Sequence, residues 1–125
     1  ATASRNLYTT VSSDLINSYA WDTAIVYIQN FSGDKDYSYQ EGKSINPSLT
    51  NTGINGDEVC KIEDMASNSW EWTTEYCTYI ANSNASPCTV RGGSYYSNSY
   101  YTKNRSLNYA TYSYKFYTFR VTLYM

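Results

Sequence analysis

The amino-acid sequence predicts a single small α+β domain. Three observations carry that expectation. One stretch, Ser18 to Phe31, has apolar residues at helical spacing. Short runs at Trp70–Thr73 and Phe119–Tyr124 alternate as strands do. Between them run long connections rich in Gly, Asn, Ser and Thr. At 125 residues the chain is long enough to bury one core without staples, so residues 1–125 are read as one domain.

Taken in order, Leu7-Tyr8-Thr9-Thr10-Val11 is β-prone and suits a first strand. Ser12, Ser13 and Asp14 follow as candidate N-caps. In the helix, Trp21, Ala24, Ile25 and Ile28 share a face, with Asp22 and Gln29 off it, so Trp21 is expected to be a core anchor. Residues 32–58 form a long polar connection around Pro47, of a length that is uncommon unless ordered or functional. Its acidic residues Asp34, Asp36 and Glu41 read as solvated surface rather than as a metal site. Trp70 and Trp72 flank Glu71 and put two large groups on one strand face. Residues 78–87 read as an Asn/Ser loop, and Phe119–Tyr124 as one closing strand.

Composition excludes several functions. The net charge is −2, with nine Lys+Arg against eleven Asp+Glu, which argues against a nucleic-acid partner. No run approaches the roughly 18 apolar residues of a membrane span, and no charged-then-apolar leader opens the chain. A start at Ala1 suits a processed chain or one excised from something longer. Histidine is absent, which removes the commonest general base and transition-metal ligand. Cys60, Cys77 and Cys88 are an odd set: either Cys77 and Cys88 close the polar loop between them, or all three are thiols.

The final segment, Arg91 to Met125, holds most of the functional signal. Between Gly92-Gly93 and Phe119-Arg120-Val121 nearly every residue is Tyr, Ser, Asn or Thr, and the whole chain holds sixteen tyrosines. Tyr gives a large rigid surface with a polar tip, and Ser and Asn give adaptable hydrogen bonds. That is the chemistry of a contact surface. The alternative is ordinary half-buried strand, in which Tyr112 and Tyr114 share one face and Ser113 and Lys115 the other.

Two blocks resemble a known family. Asp64-Met65-Ala66-Ser67-Asn68-Ser69-Trp70-Glu71-Trp72-Thr73 is similar to the "DMAGNVWEWT" signature of the formylglycine-generating-enzyme (sulfatase-modifying-factor) family. Arg91-Gly92-Gly93-Ser94-Tyr95 with Phe119-Arg120-Val121 resembles its "RGGSW…GFRV" close, and Ala20-Trp21-Asp22 its "WD" helix. Spacing and order agree over about residues 10–125. The resemblance implies a C-type-lectin-like fold, with a small mixed sheet, one or two helices and long loops. Ser67 and Thr118 stand where the family has glycine. The family's reactive cysteine pair would fall at Ser97 and Thr102, so its oxidase chemistry lacks a thiolate nucleophile. Its calcium site would map onto the side chains of Asp64 and Glu71 and the carbonyls of Ser67 and Ser69. The competing reading has Glu71 bonding backbone amides beneath the sheet, with no ion bound.

Within this fold class, the Tyr/Ser/Asn-loaded segment is similar to the variable proteins of diversity-generating retroelements. The resemblance implies a non-catalytic binding protein with a diversified segment at about 96–117. Its contact residues would be Tyr96, Ser97, Asn98, Ser99, Tyr100, Tyr101, Asn104, Ser106, Asn108, Tyr109, Tyr112, Ser113, Tyr114, Phe116 and Tyr117. Lys103 and Lys115 do not fit the randomised-codon pattern and would be fixed; Arg91, Gly92, Gly93, Phe119 and Arg120 would be framework. The expected partner is a protein receptor or surface glycan of a target cell, met from a virion or cell surface. Two other classes compete: a calcium-dependent lectin, although its Glu-Pro-Asn and Trp-Asn-Asp type motifs are missing, and a degenerate formylglycine-generating-type enzyme. No motif places a carboxylate pair for hydrolysis.

Overall fold

The computed structural model describes residues 2–8, 10–40, 48–54, 56–66, 68–78, 86–96 and 100–124. They form a small mixed α+β protein. Two helices, α1 (Thr2–Arg5) and α2 (Ser18–Phe31), accompany six strands: β1 (Ser12–Leu15), β2 (Trp70–Tyr76), β3 (Cys88–Arg91), β4 (Arg105–Asn108), β5 (Tyr117–Phe119) and β6 (Val121–Tyr124). A short 3-10 turn lies at Tyr37–Tyr39. The strands make two sheets. β1 and β6 pair antiparallel, Ser12 opposite Tyr124, and tie the two ends of the chain together. The other sheet has the order β4-β3-β2-β5 and is mixed, because β5 runs parallel to β2.

Helix α2 forms over the span its spacing predicts. Asn17 caps it by accepting from the Ala20 amide at 2.8 Å, satisfying one of the helix's unpaired first-turn donors. Trp21, Ile25 and Ile28 face inward and join Ile16, Tyr37 and Met65 in the core. The expected caps Ser12, Ser13 and Asp14 lie instead in β1. The strand expected at residues 7–11 is absent from its described residues; the pairing that β6 offers falls at Ser12–Leu15. Ser13 turns its hydroxyl to the carbonyl of Ser4 at 2.6 Å and holds α1 against the sheet.

The expected closing strand is split. Residues up to Phe119 pair with β2, whereas Val121 onward pairs with β1, so Arg120 sits between two sheets. Its carbonyl accepts the Ile16 amide at 2.9 Å. Tyr112–Lys115 is not a strand either. The chain turns there, with Tyr112 N bonded to Tyr109 O and Tyr117 N to Tyr114 O, and Tyr112, Ser113, Tyr114 and Lys115 are all exposed. Cys88 is a free, half-buried thiol, so the loop closure between Cys77 and Cys88 is not formed. Residues 79–85 of that loop lie outside the described residues, as do Pro47 and Glu41 of the earlier polar connection. No helix among the described residues is long and apolar enough to cross a membrane.

The sequence blocks meet at one point. Trp21, fully buried on α2, donates from its indole nitrogen to the Thr102 carbonyl at 3.0 Å. Gly92 lies against it with φ +93°, where a Cβ would come within 3.0 Å of the Met65 carbonyl oxygen and 3.1 Å of the Trp21 ring. Only glycine adopts that conformation and leaves that space. The Arg120 and Arg91 guanidinium groups lie 5.7 Å and 5.6 Å from the Trp21 ring, within cation–π range.

Candidate binding surface

The surface is built on the β4-β3-β2-β5 sheet. Strand alternation puts Trp70 and Trp72 on one face of β2, and the register places Tyr117 and Phe119 of β5 beside them. From this base an aromatic chain runs outward. Trp72 meets Tyr117 at 5.4 Å between centroids, and Tyr117 meets Tyr112 edge-on at 5.3 Å and Phe116 at 5.1 Å. Phe116 in turn meets Tyr114 at 4.6 Å and stacks with Tyr96 at 6.1 Å. Exposure grows along the chain: Tyr117 and Phe116 are half-buried, Tyr112 is 40% exposed, Tyr114 50% and Tyr96 78%. Tyr109 stands out at 54%. Each such ring contact is worth about 0.5–1.5 kcal/mol beyond burial, enough to orient side chains that remain in water.

Framework residues fix both ends of this surface. Tyr95 is buried, and its amide bonds to the Asn68 carbonyl at 3.0 Å. Asn68 sits at φ +62°, a region Asn tolerates, and its amide group clasps the Thr50 backbone at 3.0 and 3.1 Å. At Gly93 a Cβ would stand 3.1 Å from the Tyr100 Cβ, so glycine lets the returning chain cross closely. That crossing brings Tyr100 edge-on to Trp70 at 4.8 Å. Thr102 is fully buried: its hydroxyl donates to the Tyr37 carbonyl at 2.6 Å and its amide to Gln40. Lys103 docks beside it, its amide on the Ser38 carbonyl and its ammonium 3.1 Å from the Tyr39 ring centroid.

The expected contact residues therefore divide. Tyr96, Tyr100, Tyr109, Tyr112, Ser113 and Tyr114 are exposed, and Tyr101 and Phe116 are half-buried beside them. Asn104, Ser106, Asn108 and Tyr117 are half-buried, and three of these have structural partners. Asn104 accepts the Tyr101 amide, and the Asn108 side chain donates to the Tyr117 hydroxyl at 2.8 Å. Ser106 sits in β4 opposite Val90. Ser97, Asn98 and Ser99 lie outside the described residues. Of the two positions where the resemblance would need thiols, Ser97 is among these, and Thr102 is a sealed structural hydroxyl. Tyr39 was not foreseen. It is 58% exposed, meets the Tyr101 ring at 5.9 Å, and extends the aromatic surface from outside the final segment.

Beneath the surface lies an ion network. The Arg91 side chain is wholly buried, reaching Asp22 at 2.5 Å, the Asn104 carbonyl at 3.1 Å and the Lys103 carbonyl at 3.4 Å. Arg105 bridges Asp22 at 2.8 Å and Glu75 at 3.0 Å, and Ser18 hydrogen-bonds Glu75. On the other side of the core Arg120 grips both oxygens of Glu71 at 2.8 and 2.9 Å and donates to the Glu63 carbonyl at 2.8 Å.

That grip bears on the fit of a calcium ion. Both Glu71 oxygens already face a cation, and Asp64 accepts from Asn68 at 3.3 Å and from the Gly53 amide at 3.4 Å. Ser67 lies outside the described residues, and it is the Ser69 hydroxyl, not the carbonyl that the resemblance implies as a ligand, that shares a 2.5 Å hydrogen bond with Thr118. As arranged, a dication at Glu71 would compete with the half-buried Arg120 guanidinium. Among the described contacts of Glu71, both oxygens accept from Arg120. Among the described residues no group of three or more Cys, Asp or Glu side chains is arranged to hold a metal.

No family model, curated protein or solved structure matches this chain.

Two opposing pH effects follow from the carboxylates. Burial resists ionisation of Asp22, but Arg91 and Arg105 prevail and hold its pKa below the ordinary value. Asp14 is also lowered, first by its bond from the Leu15 amide and then by Arg5. Burial raises Glu71 against the pull of Arg120. A raised acid binds more protons folded than unfolded, so it weakens the fold as pH rises through that window; the lowered pair acts oppositely. Urea midpoints should stay level or rise slightly from pH 7 to about 5, then fall below about pH 4 as Asp22 and Asp14 protonate. Asp22→Asn should remove part of the acid limb. A steady decline beginning at pH 7 would contradict the assignment.

Proposed function

We propose that this chain is a non-catalytic binding protein whose segment at about 96–117 is a diversified ligand-contacting surface. On this reading the scaffold is C-type-lectin-like, of the formylglycine-generating-enzyme type, as in diversity-generating retroelement variable proteins. The partner is a protein receptor or surface glycan of a target cell, engaged from a virion or cell surface. One observation carries it: the exposed tyrosines Tyr96, Tyr112 and Tyr114 are joined ring to ring, through Phe116 and Tyr117, onto the Trp72 base. Such side chains can bury large area in a partner while losing little further freedom. Support for the scaffold is that the three resembling blocks converge, Trp21 against Gly92 and Met65, and Glu71 against Arg120. Support for a non-catalytic role is the sealed Thr102 hydroxyl.

The test is a binding screen of the intact chain against arrayed cell-surface proteins and glycans. Alanine at Tyr96, Tyr109, Tyr112 or Tyr114 should weaken the partner found by tenfold or more at two or more positions, about 1.4 kcal/mol each. Each alanine variant should stay folded, losing no more than about 1.5 kcal/mol with its ring contact. A quadruple alanine variant that binds as the wild type does would defeat the reading. In the coding DNA, a near-copy of the segment differing at adenines beside a reverse transcriptase gene would identify the source of the diversity.

A further inference from the structure

A cleft of about 240 Å³ opens at the edge of the aromatic surface, lined by Leu15, Trp72, Thr73, Cys88, Ala110, Tyr112 and Phe119. We propose that it is an anchor pocket for one uncharged apolar side chain, aromatic or branched aliphatic, of a protein partner. The inference rests on the binding role argued above, but concerns a site that the tyrosine segment does not itself supply. Only Tyr112 belongs to that segment's expected contact residues. The remaining walls come from β1, β2, β3, β5 and the turn at Ala110, so this part of the surface is built mostly by scaffold.

Size, charge and position select the occupant. Sites for drug-sized ligands span roughly 300–1,000 Å³, and at about 240 Å³ this cleft suits a single side chain. No wall residue is charged, and a charged occupant would lose its hydration with nothing to replace it. Leu15 is buried at the cleft, while Tyr112 and Phe119 are 40% and 42% exposed there and present apolar ring surface to an entering group. The cleft is continuous with the exposed aromatic chain, because Tyr112 meets Tyr117 at 5.3 Å and Tyr117 meets Trp72 at 5.4 Å. A partner seated on Tyr112 and Tyr114 thus lies next to the opening. Hot-spot residues of interfaces sit in such desolvated pockets ringed by less critical contacts.

The test needs no partner. The intact chain is titrated with N-acetyl-phenylalaninamide, N-acetyl-leucinamide, N-acetyl-lysinamide and methyl β-galactoside, following amide NMR shifts. The two apolar amides should give saturable shifts at Leu15, Thr73, Cys88 and Ala110, with Kd on the order of 1 mM, and should slow alkylation of Cys88 relative to Cys60. The lysine amide should give neither. Ala110→Trp, at an exposed turn position, should fill the cleft and weaken the apolar amides at least tenfold; Phe119→Ala, which removes a wall, should weaken them as well. Absent shifts, equal binding to Ala110→Trp, or a stronger response to the lysine amide or the galactoside would overturn the pocket. None of those results bears on the tyrosine alanine scan, which judges the wider surface separately.

Discussion

An Arg120→Ala chain should be about 3–5 kcal/mol less stable than wild type at pH 7, because it strands Glu71 as a buried charge. Glu71 lies on β2 with little exposure, and its two oxygens are held by the guanidinium at 2.8 and 2.9 Å. The same substitution deprives the Glu63 carbonyl of its 2.8 Å donor and removes a cation from the Trp21 face. Two signatures separate this from simple loss of packing. First, burial already pushes the Glu71 pKa up, and Arg120 is the largest influence opposing it. Without Arg120 the group should protonate at a higher pH still, so the stability gap should narrow as the pH is lowered towards 4. Secondly, pairing Arg120→Met with Glu71→Gln should recover a substantial part of the loss, since the uncompensated charge is gone. Urea unfolding of wild type, Arg120→Ala and the double variant at pH 7 and pH 4 checks both. A loss below about 1 kcal/mol at pH 7, or a gap unchanged at pH 4, would show that the pair is not what holds this junction.

The same junction shows what the sequence could reveal. Helix α2 was legible because its apolar residues recur at 3.6-residue spacing, and Trp21 could only be a core residue there. The motif blocks were legible as blocks, and Trp21, Gly92 and Met65 do meet. What local pattern could not show was the break at Arg120. Phe119–Tyr124 alternates throughout, yet the chain changes sheets in the middle, at the residue whose charge is claimed by Glu71, 49 positions away. Tyrosine misled in the other direction. Its β-propensity offered strand as the alternative reading of residues 112–115, but backbone turns at Tyr109–Tyr112 and Tyr114–Tyr117 leave Tyr112 and Tyr114 exposed. Conversely, Tyr37 is buried from within a polar connection that carries no periodic signal. Its carbonyl accepts the Thr102 hydroxyl from 65 residues away, a contact that forms only on folding.

Replacing Arg91 should loosen the tyrosine surface from below, and this effect is distinguishable from the loss at Arg120. The Arg91 side chain has no exposed area and spends its donors on Asp22, Ser18 and the carbonyls of Asn104 and Lys103. Asp22 is half exposed and shared with Arg105, so it stays partnered after the change. The two carbonyls do not fare so well. Leaving each half-buried acceptor unmet costs up to about 1–3 kcal/mol, and truncating a large buried side chain adds a cavity cost. Arg91→Ala should therefore lose roughly 3–5 kcal/mol. Arg91→Lys should lose less but still a measurable amount, because an ammonium cannot span the same planar set of acceptors. The location of the damage is the sharper prediction. Thr102 and Lys103 are tethered from one side by their amides to Gln40 and Ser38, and from the other by Arg91. With Arg91 gone, amide exchange at Tyr101, Thr102 and Lys103 should quicken by tenfold or more beyond what the global loss explains, while the Ile16 and Thr74 amides should follow global stability alone. Arg120→Ala should show no such local excess. If the exchange change in Arg91→Ala were uniform, Arg91 would be a core residue only; a local excess makes it the strut that fixes the base of the tyrosine surface.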